Sequence, residues 1–390
     1  MIIKLYLLLL PVTHAFNLSS LFIVPIIISV INALNVLISR KKFFFDTLDK
    51  LFIVFLSAVF FSNLVNFDQI SYKTINHSLV ILSLVFLWYF FIKQKLINVS
   101  LANTLRIIYI SYLIVISFSL IEFCSINFLG INFDNYIPRP SLTEYNPGFL
   151  GLFIRARSFF EESGYYAFYI ACIFPLVYFY VLYFLKSKYV LIFLLIYTLL
   201  GIFTAFSVTF FLFFPLSIVL FILLKYNFKL LVIRKILYTS LILIILFIVF
   251  NQYFISFYES SILSKFAGIS FEDRLNKYFL SVDLIMNASM VNLLFGYSAG
   301  SYYSLKIDPA ISVHINFIRD FGIVGYFSFL FINMYSIVRL ILSKVLFAKY
   351  LAISLIASNL FFISTPHYFE PQYFLLFALS SVYVFKKGIK

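Results

Sequence analysis

The sequence predicts an all-α, polytopic membrane protein, and three observations carry that prediction. Mean hydropathy is +1.05 with only 11% charged residues, where soluble domains hold about a quarter. Apolar stretches of about 20 residues, each able to cross roughly 30 Å of hydrocarbon as a helix, recur from end to end. Charge also sorts by side. With the N-terminus placed in the cytoplasm, 20 of the 29 Lys and Arg residues fall inside, where the acids are Asp46 and Asp49 alone. That bias is the positive-inside pattern. One integral membrane domain, residues 1–390, is therefore expected.

Twelve spans follow in order. The first, near residues 2–16, has no small-x-small cleavage site and runs straight into 19–38, so both are read as structure. The Arg40 to Lys50 group then marks the inside before 48–67. Span 75–93 returns to Lys93 and Lys95, and 104–123 leaves past Arg106 for a first long outer loop, 124–162. Span 163–185 comes back to Lys186 and Lys188. Spans 189–205 and 207–224 form a short pair ending at Lys225. Span 234–254 leads to a second long outer loop, 255–313. The last three, 314–339, 345–364 and 368–386, are separated by Arg339 to Lys349 inside and end on Lys386 to Lys390. Cys124 and Cys172 fall at different depths, so no disulfide is expected and both read as small apolar fillers.

The basic excess is a topology signal, and it gives no support to nucleic-acid binding. Few ionisable groups enter the spans: Glu122, Arg106 and Arg319 lie near ends, and no chain of carboxylates crosses the bilayer. With no inverted repeat, that pattern counts against ion-coupled transport. The four histidines, His14, His77, His314 and His367, have no zinc-like spacing, and no metal or cofactor is expected.

Both long loops are too apolar to be disordered spacers. In the second, Ser270-Phe-Glu-Asp273 reads as a capping box. Leu275, Phe279, Val282 and Met286 then recur at helical spacing. Such a helix lies on the membrane with that stripe down, turning Arg274, Lys277 and Ser281 toward water or a substrate.

Three constellations could carry chemistry. Arg155-Ala-Arg157-Ser-Phe-Phe-Glu161-Glu162 packs four charges into eight residues at a membrane face. Arginine grips a diphosphate bidentately and keeps its charge where hydration is poor, while a neighbouring carboxylate orients it or binds a sugar hydroxyl. The competing reading is a salt-bridged topological anchor. His314, in S-V-H-I-N-F-I-R-D-F-G-I-V-G, can take a proton from an attacking hydroxyl, or can simply pack at the interface. Gly322 and Gly325 after it would let the following helix pack closely. Gly296-Tyr-Ser-Ala-Gly300 lacks the strand-turn-helix context of a dinucleotide loop and reads as a turn.

In joint order these pieces resemble the superfamily of O-antigen polymerases and O-antigen ligases. Its members often show an arginine followed by Ser-Phe-Phe-x-Glu-Pro in the first large periplasmic loop, matched here by Arg155, Ser158, Phe159, Phe160 and Glu162. A second arginine before a glycine-rich turn is matched by Arg274 and Gly296. A histidine-asparagine pair opening a helix with G-x-x-G is matched by His314 and Asn316 with Gly322 and Gly325. The motifs cover about residues 150–325, and the topology covers the whole chain. Ser163 stands where the family commonly has proline, Ile315 separates the histidine from its asparagine, and Ser298 replaces a frequent glycine.

The resemblance implies a metal-independent, inverting glycosyltransferase of the bacterial inner membrane with both termini cytoplasmic. Its donor is a glycan on a polyprenyl diphosphate, and its other partners are membrane lipid and a chain-length regulator. Arg155, Arg274 and His314 would be catalytic, and Arg157, Glu162 and Asn316 substrate-binding. Repeat-unit polymerase is the first expectation. A ligase that transfers the finished glycan to a lipid-anchored core and a lipid-linked oligosaccharide flippase are the alternatives.

Overall fold

The structure, a computed structural model, describes residues 2–12, 15, 24–39, 42–131, 133–137, 139, 153–226, 269–365 and 370–386. The expected ninth span, residues 234–254, lies outside the described residues, as do His14, His367 and the side chain of Ser270.

The described chain is all-helical, with seven helices long and apolar enough to cross a membrane. In order the helices are α1 (Ile2–Leu9), α2 (Val24–Ile38), α3 (Thr47–Val65), α4 (Tyr72–Leu96), α5 (Leu101–Leu129), α6 (Ser163–Leu185), α7 (Lys188–Ala205) and α8 (Val208–Lys225). There follow α9 (Ile269–Met286), α10 (Met290–Phe295), α11 (Ser301–Ser304), α12 (Val313–Leu342), α13 (Leu346–Phe361) and α14 (Pro371–Phe385). The seven are α3 to α8 and α12, whereas α2, α13 and α14 are shorter apolar helices.

Helix starts follow local chemistry. Asp46 and Asp49 form a reciprocal capping box at α3, Ser71 and Thr74 another at α4, and Ser100 and Ser187 cap α5 and α7. Each box satisfies backbone N–H groups that a helix leaves without partners. Pro371 opens α14, where a missing N–H costs nothing. The centre of the bundle is α6, the most buried of the long helices, packed by α5, α7, α8 and α13. It is apolar all round, as a helix with no lipid-facing side must be.

The two ends of the bundle carry different buried charges. At one end Lys93, fully buried, pairs with Asp49, whose carboxylate also accepts from the Tyr89 hydroxyl at 3.0 Å. Asp46 accepts from the hydroxyl of Ser381 on α14, and the Tyr383 hydroxyl meets Thr104 at 2.8 Å. Glu122 lies eighteen residues further along α5 than Thr104, roughly 27 Å away at 1.5 Å per residue. It therefore marks the opposite end, the one to which residues 153–162 are tied.

The largest departure from expectation is in α12. It breaks at Gly322 (φ 65°, ψ −171°), in a backbone region open almost only to glycine. Residues 313–321 fold back on 323–342. The rings of Phe317 and Phe329 lie 4.5 Å apart and those of His314 and Tyr326 5.9 Å apart. Twelve residues along an unbroken helix would separate each pair by roughly 18 Å. Gly322 is thus a hinge of two half-helices, while Gly325 packs closely on Phe321 of the folded-back half, with Ala58 of α3 at ordinary contact distance.

The break is locked by a second glycine. A Cβ on Gly322 would lie under 3.0 Å from the backbone of Leu294 and Gly296, and one on Gly296 would strike the backbone of Asp320 and Phe321. Around this crossing Tyr297 N–H donates to Arg319 O (2.9 Å), Asn66 to Gly296 O (2.9 Å) and Ser62 to Asp320 O (2.8 Å). Arg319 and Asp320, both buried, pair at 2.9 Å, and Ser301 donates to Asp320 at 2.7 Å. The sequence reading of Gly296 to Gly300 as a plain turn thus understates it, because this turn is what fixes the broken helix. Within it Ser298 has φ 80° and a buried hydroxyl without a partner among the described residues. Ser298→Gly should relieve about 1 kcal/mol of left-handed backbone cost. We expect the thermal midpoint of the purified chain to rise by roughly 1–3 °C; an unchanged or lower midpoint would contradict that strain.

Candidate functional site

The segment between α5 and α6 is held by side chains reaching its backbone. Asn127 of α5 brackets Ile154, donating to its carbonyl at 2.9 Å and accepting its N–H at 2.6 Å. Ala156 N–H donates to Thr204 O at 3.0 Å. Glu122, completely buried, accepts the N–H groups of Arg157 (2.9 Å) and Ser158 (2.7 Å) and the guanidinium of Arg139 (2.7 Å). Arg139 also pairs with Asp134 at 2.8 Å, and Asp134 pairs with Arg157. Phe159 stacks on Phe118 with ring centroids 4.4 Å apart, while Phe160 is buried against Tyr169 at 5.4 Å.

This frame separates two arginines that look alike in sequence. Arg157 is 5% exposed, and its guanidinium serves Asp134 and the Glu161 carbonyl (3.2 Å). It holds the loop by these contacts. Arg155, between the pinned residues Ile154 and Ala156, makes no hydrogen bond or ion pair among the described residues, and its buried Nε has no partner. Burial pushes its guanidinium below the ordinary value. The Glu162 carboxylate works against that shift, and the like charge of Arg274 adds to it.

Arg274 comes from α9, whose orientation is set by two contacts. Lys277 pairs with Asp273 (2.7 Å) and Asp308 (3.2 Å), and buried Ser281 accepts from Arg319 at 3.4 Å. Ser281 therefore faces inward, contrary to the sequence expectation, because the Arg319 guanidinium lies beneath it. Leu275, Phe279 and Met286 are exposed, so the protein leaves that apolar stripe uncovered. Arg274 is exposed too, and its charge acts on both Arg155 and Tyr165.

Tyr165, on the first turn of α6, also lies within electrostatic reach of Glu162, Glu161 and Glu370. Glu162 is the residue preceding α6 and makes no cap hydrogen bond there. Glu370, 1% exposed, precedes α14 and accepts from Gln372 at 2.9 Å. Sequence reasoning missed Glu370. Its signal was a single carboxylate before Pro371 in an otherwise apolar stretch. Arg155 and Arg274, from separate segments, thus lie within electrostatic reach of one another, with Glu162 acting on Arg155 and both Glu162 and Arg274 acting on Tyr165, a charge pattern suited to a phosphate ester.

His314 is not in contact with this pair. Its Nε2 lies 3.3 Å from the Asn359 carbonyl, which requires the proton on Nε2, and Nδ1 accepts from the Tyr326 hydroxyl at 3.4 Å. Val313 N–H donates to Phe362 O at 3.0 Å, and the Phe362 ring lies 5.7 Å from that of Phe168, one helical turn below Tyr165. His314 therefore sits one packing layer from the arginine site. Asn316 accepts the Ala310 N–H (3.0 Å) and donates to its carbonyl (2.8 Å). Both ends of its amide fix the turn before α12.

Compared with known proteins, the chain matches no family model, and no curated protein or solved structure is significantly similar to it.

Proposed function

We propose that the protein is a membrane glycosyltransferase that joins polyprenyl-diphosphate-linked oligosaccharide repeat units, with the donor diphosphate bound between Arg155 and Arg274. The observation that supports this reading is Arg155, half-buried with a buried Nε that has no acceptor among the described residues, within electrostatic reach of Arg274 from a separate segment. Burying an unpaired charge is costly. A dianionic ligand removes that cost and the mutual repulsion together. The reading includes twelve spans with both long loops on the periplasmic side.

In the reaction an acceptor sugar hydroxyl attacks the anomeric carbon as the carbon–oxygen bond to diphosphate breaks. The two arginines stabilise the negative charge that collects on the leaving group, so no general acid is needed. The configuration inverts. Glu162, flanked by Arg155 and Tyr165, positions the donor sugar. His314 receives the hydroxyl proton on Nδ1 once the Tyr326 hydroxyl turns away, and Asn359 holds the opposite nitrogen protonated.

The test is a gel profile of surface polysaccharide from a strain deleted for this chain and complemented by wild type, Arg274→Ala or His314→Ala. Single-repeat product in the deletion, with a ladder restored by wild type alone, is the expected result. Lipid-linked long chains accumulating in the deletion would move the activity to ligation. An unchanged ladder would remove the chain from polymer assembly and favour a transporter.

A further inference from the structure

At the end of the bundle opposite the arginine site, α1, α2 and α4 line a half-open cavity of about 310 Å³ bordered by Ile2, Ile3, Asn32, Asn35 and Lys95. Asn32 is the unusual member. It is fully buried, yet neither its Nδ2 nor its Oδ1 has a partner among the described residues. The other buried asparagines Asn66, Asn316 and Asn333 all have bonded amides. An unsatisfied buried amide costs about 1–3 kcal/mol, so the carboxamide is expected to meet a polar group that enters the cavity. Beside it the Lys95 ammonium donates to Asn35 Oδ1, which fixes a positive charge at the cavity wall.

The position identifies the kind of molecule. Asn32 lies six residues from the end of α2, roughly 9 Å in from it. Ile27, Val30, Ile31, Leu34 and Ile38 of the same helix are large apolar side chains left exposed by the described residues, a ridge suited to lipid in a membrane. The rim at this end is the Lys-rich one, and such rims attract anionic headgroups. Acyl chains along α2 would deliver a headgroup to the depth of Asn32. There two amide N–H donors and an ammonium suit a phosphate, and Oδ1 suits a headgroup hydroxyl.

We propose that this cavity binds the phosphate headgroup of an anionic membrane lipid, a site independent of glycan transfer. The test uses the purified full-length chain in detergent, with native mass spectrometry after adding phosphatidylglycerol or phosphatidylcholine. Wild type should retain phosphatidylglycerol about tenfold better, and Asn32→Leu should lose about tenfold of that retention, the change one hydrogen-bonded group makes. Lys95→Met should lower it as well. Thermal midpoints identify any variant that fails to fold, and Asn32→Asp, nearly isosteric and repelling phosphate, then replaces Asn32→Leu with the same expected loss. Equal retention of the two lipids, or full retention by the Asn32 variants, overturns the proposal. Protection of the chain by inorganic phosphate alone, without preference among lipids, would assign the cavity to a free anion and overturn the lipid assignment.

Discussion

Gly322→Ala is expected to cost the protein about 2–6 kcal/mol, much of the ~5–15 kcal/mol by which an ordinary domain is stable. Two effects add. The backbone at Gly322, φ 65° and ψ −171°, is disfavoured for any side-chain-bearing residue by about 1–3 kcal/mol. The new methyl would also press on the backbone of Leu294 and Gly296, which cannot swing aside as a flexible side chain can, and overpacking of this kind costs about 1–3 kcal/mol. Gly130 supplies the control. It shares φ 65° but has nothing within 4 Å of its would-be Cβ, so Gly130→Ala should show the backbone cost alone, about 1 kcal/mol. Thermal unfolding of the purified variants reads the difference. Equal midpoints for the two would mean that the crossing of α12 with the Gly296 turn does not hold the fold.

The second large effect concerns activity. Arg155→Ala is expected to reduce polymer formation by about 10²–10³-fold, the usual loss when one preorganised donor to a developing anion is removed. Stability should be unchanged or slightly higher, because the substitution removes a buried guanidinium whose Nε has no partner. Arg157→Ala should do the reverse. It strips Asp134 and the Glu161 carbonyl of a donor while Arg139 still holds Asp134, loosening the loop and lowering the midpoint by the equivalent of about 1–3 kcal/mol. Quantified ladder length and the unfolding midpoint, measured on both variants, separate the roles. Normal chain length in Arg155→Ala would defeat the diphosphate assignment.

The contrast between these arginines shows where sequence reasoning stopped. Hydropathy placed the long helices well, because burial in lipid is a property of each segment by itself. Which arginine of Arg-Ala-Arg keeps an open guanidinium depends on Glu122, Asp134 and Arg139, residues that meet only after the loop folds onto α5. The spacing Gly322-x-x-Gly325 fits a close-packed helix and a broken one equally; the choice is made by Gly296, distant in the chain. Ser298 was visible as a departure from a resemblance, but its left-handed backbone was not. Inward-facing Ser281 was misjudged because a helical wheel ranks polarity and cannot know that a buried Arg319 waits beneath. Glu370 escaped notice because one carboxylate at a span edge resembles an ordinary boundary charge.

The clasp at the lysine-rich end has a consequence for biogenesis. Lys93 and Asp49 can find each other once the first four helices have been made, but Asp46 receives the Ser381 hydroxyl only when α14 arrives. At about 5–20 residues per second, translation separates those events by roughly 15–60 s. Throughout that interval Asp46 keeps the Asp49 N–H and Lys93 as partners, while the inner faces of several helices await the helix that will fill the gap. Since α14 is buried along its length, its docking is the step that converts a set of inserted segments into one folded body. A nascent chain stalled before α14 lacks that last contact and leaves the faces that pack on α14 uncovered.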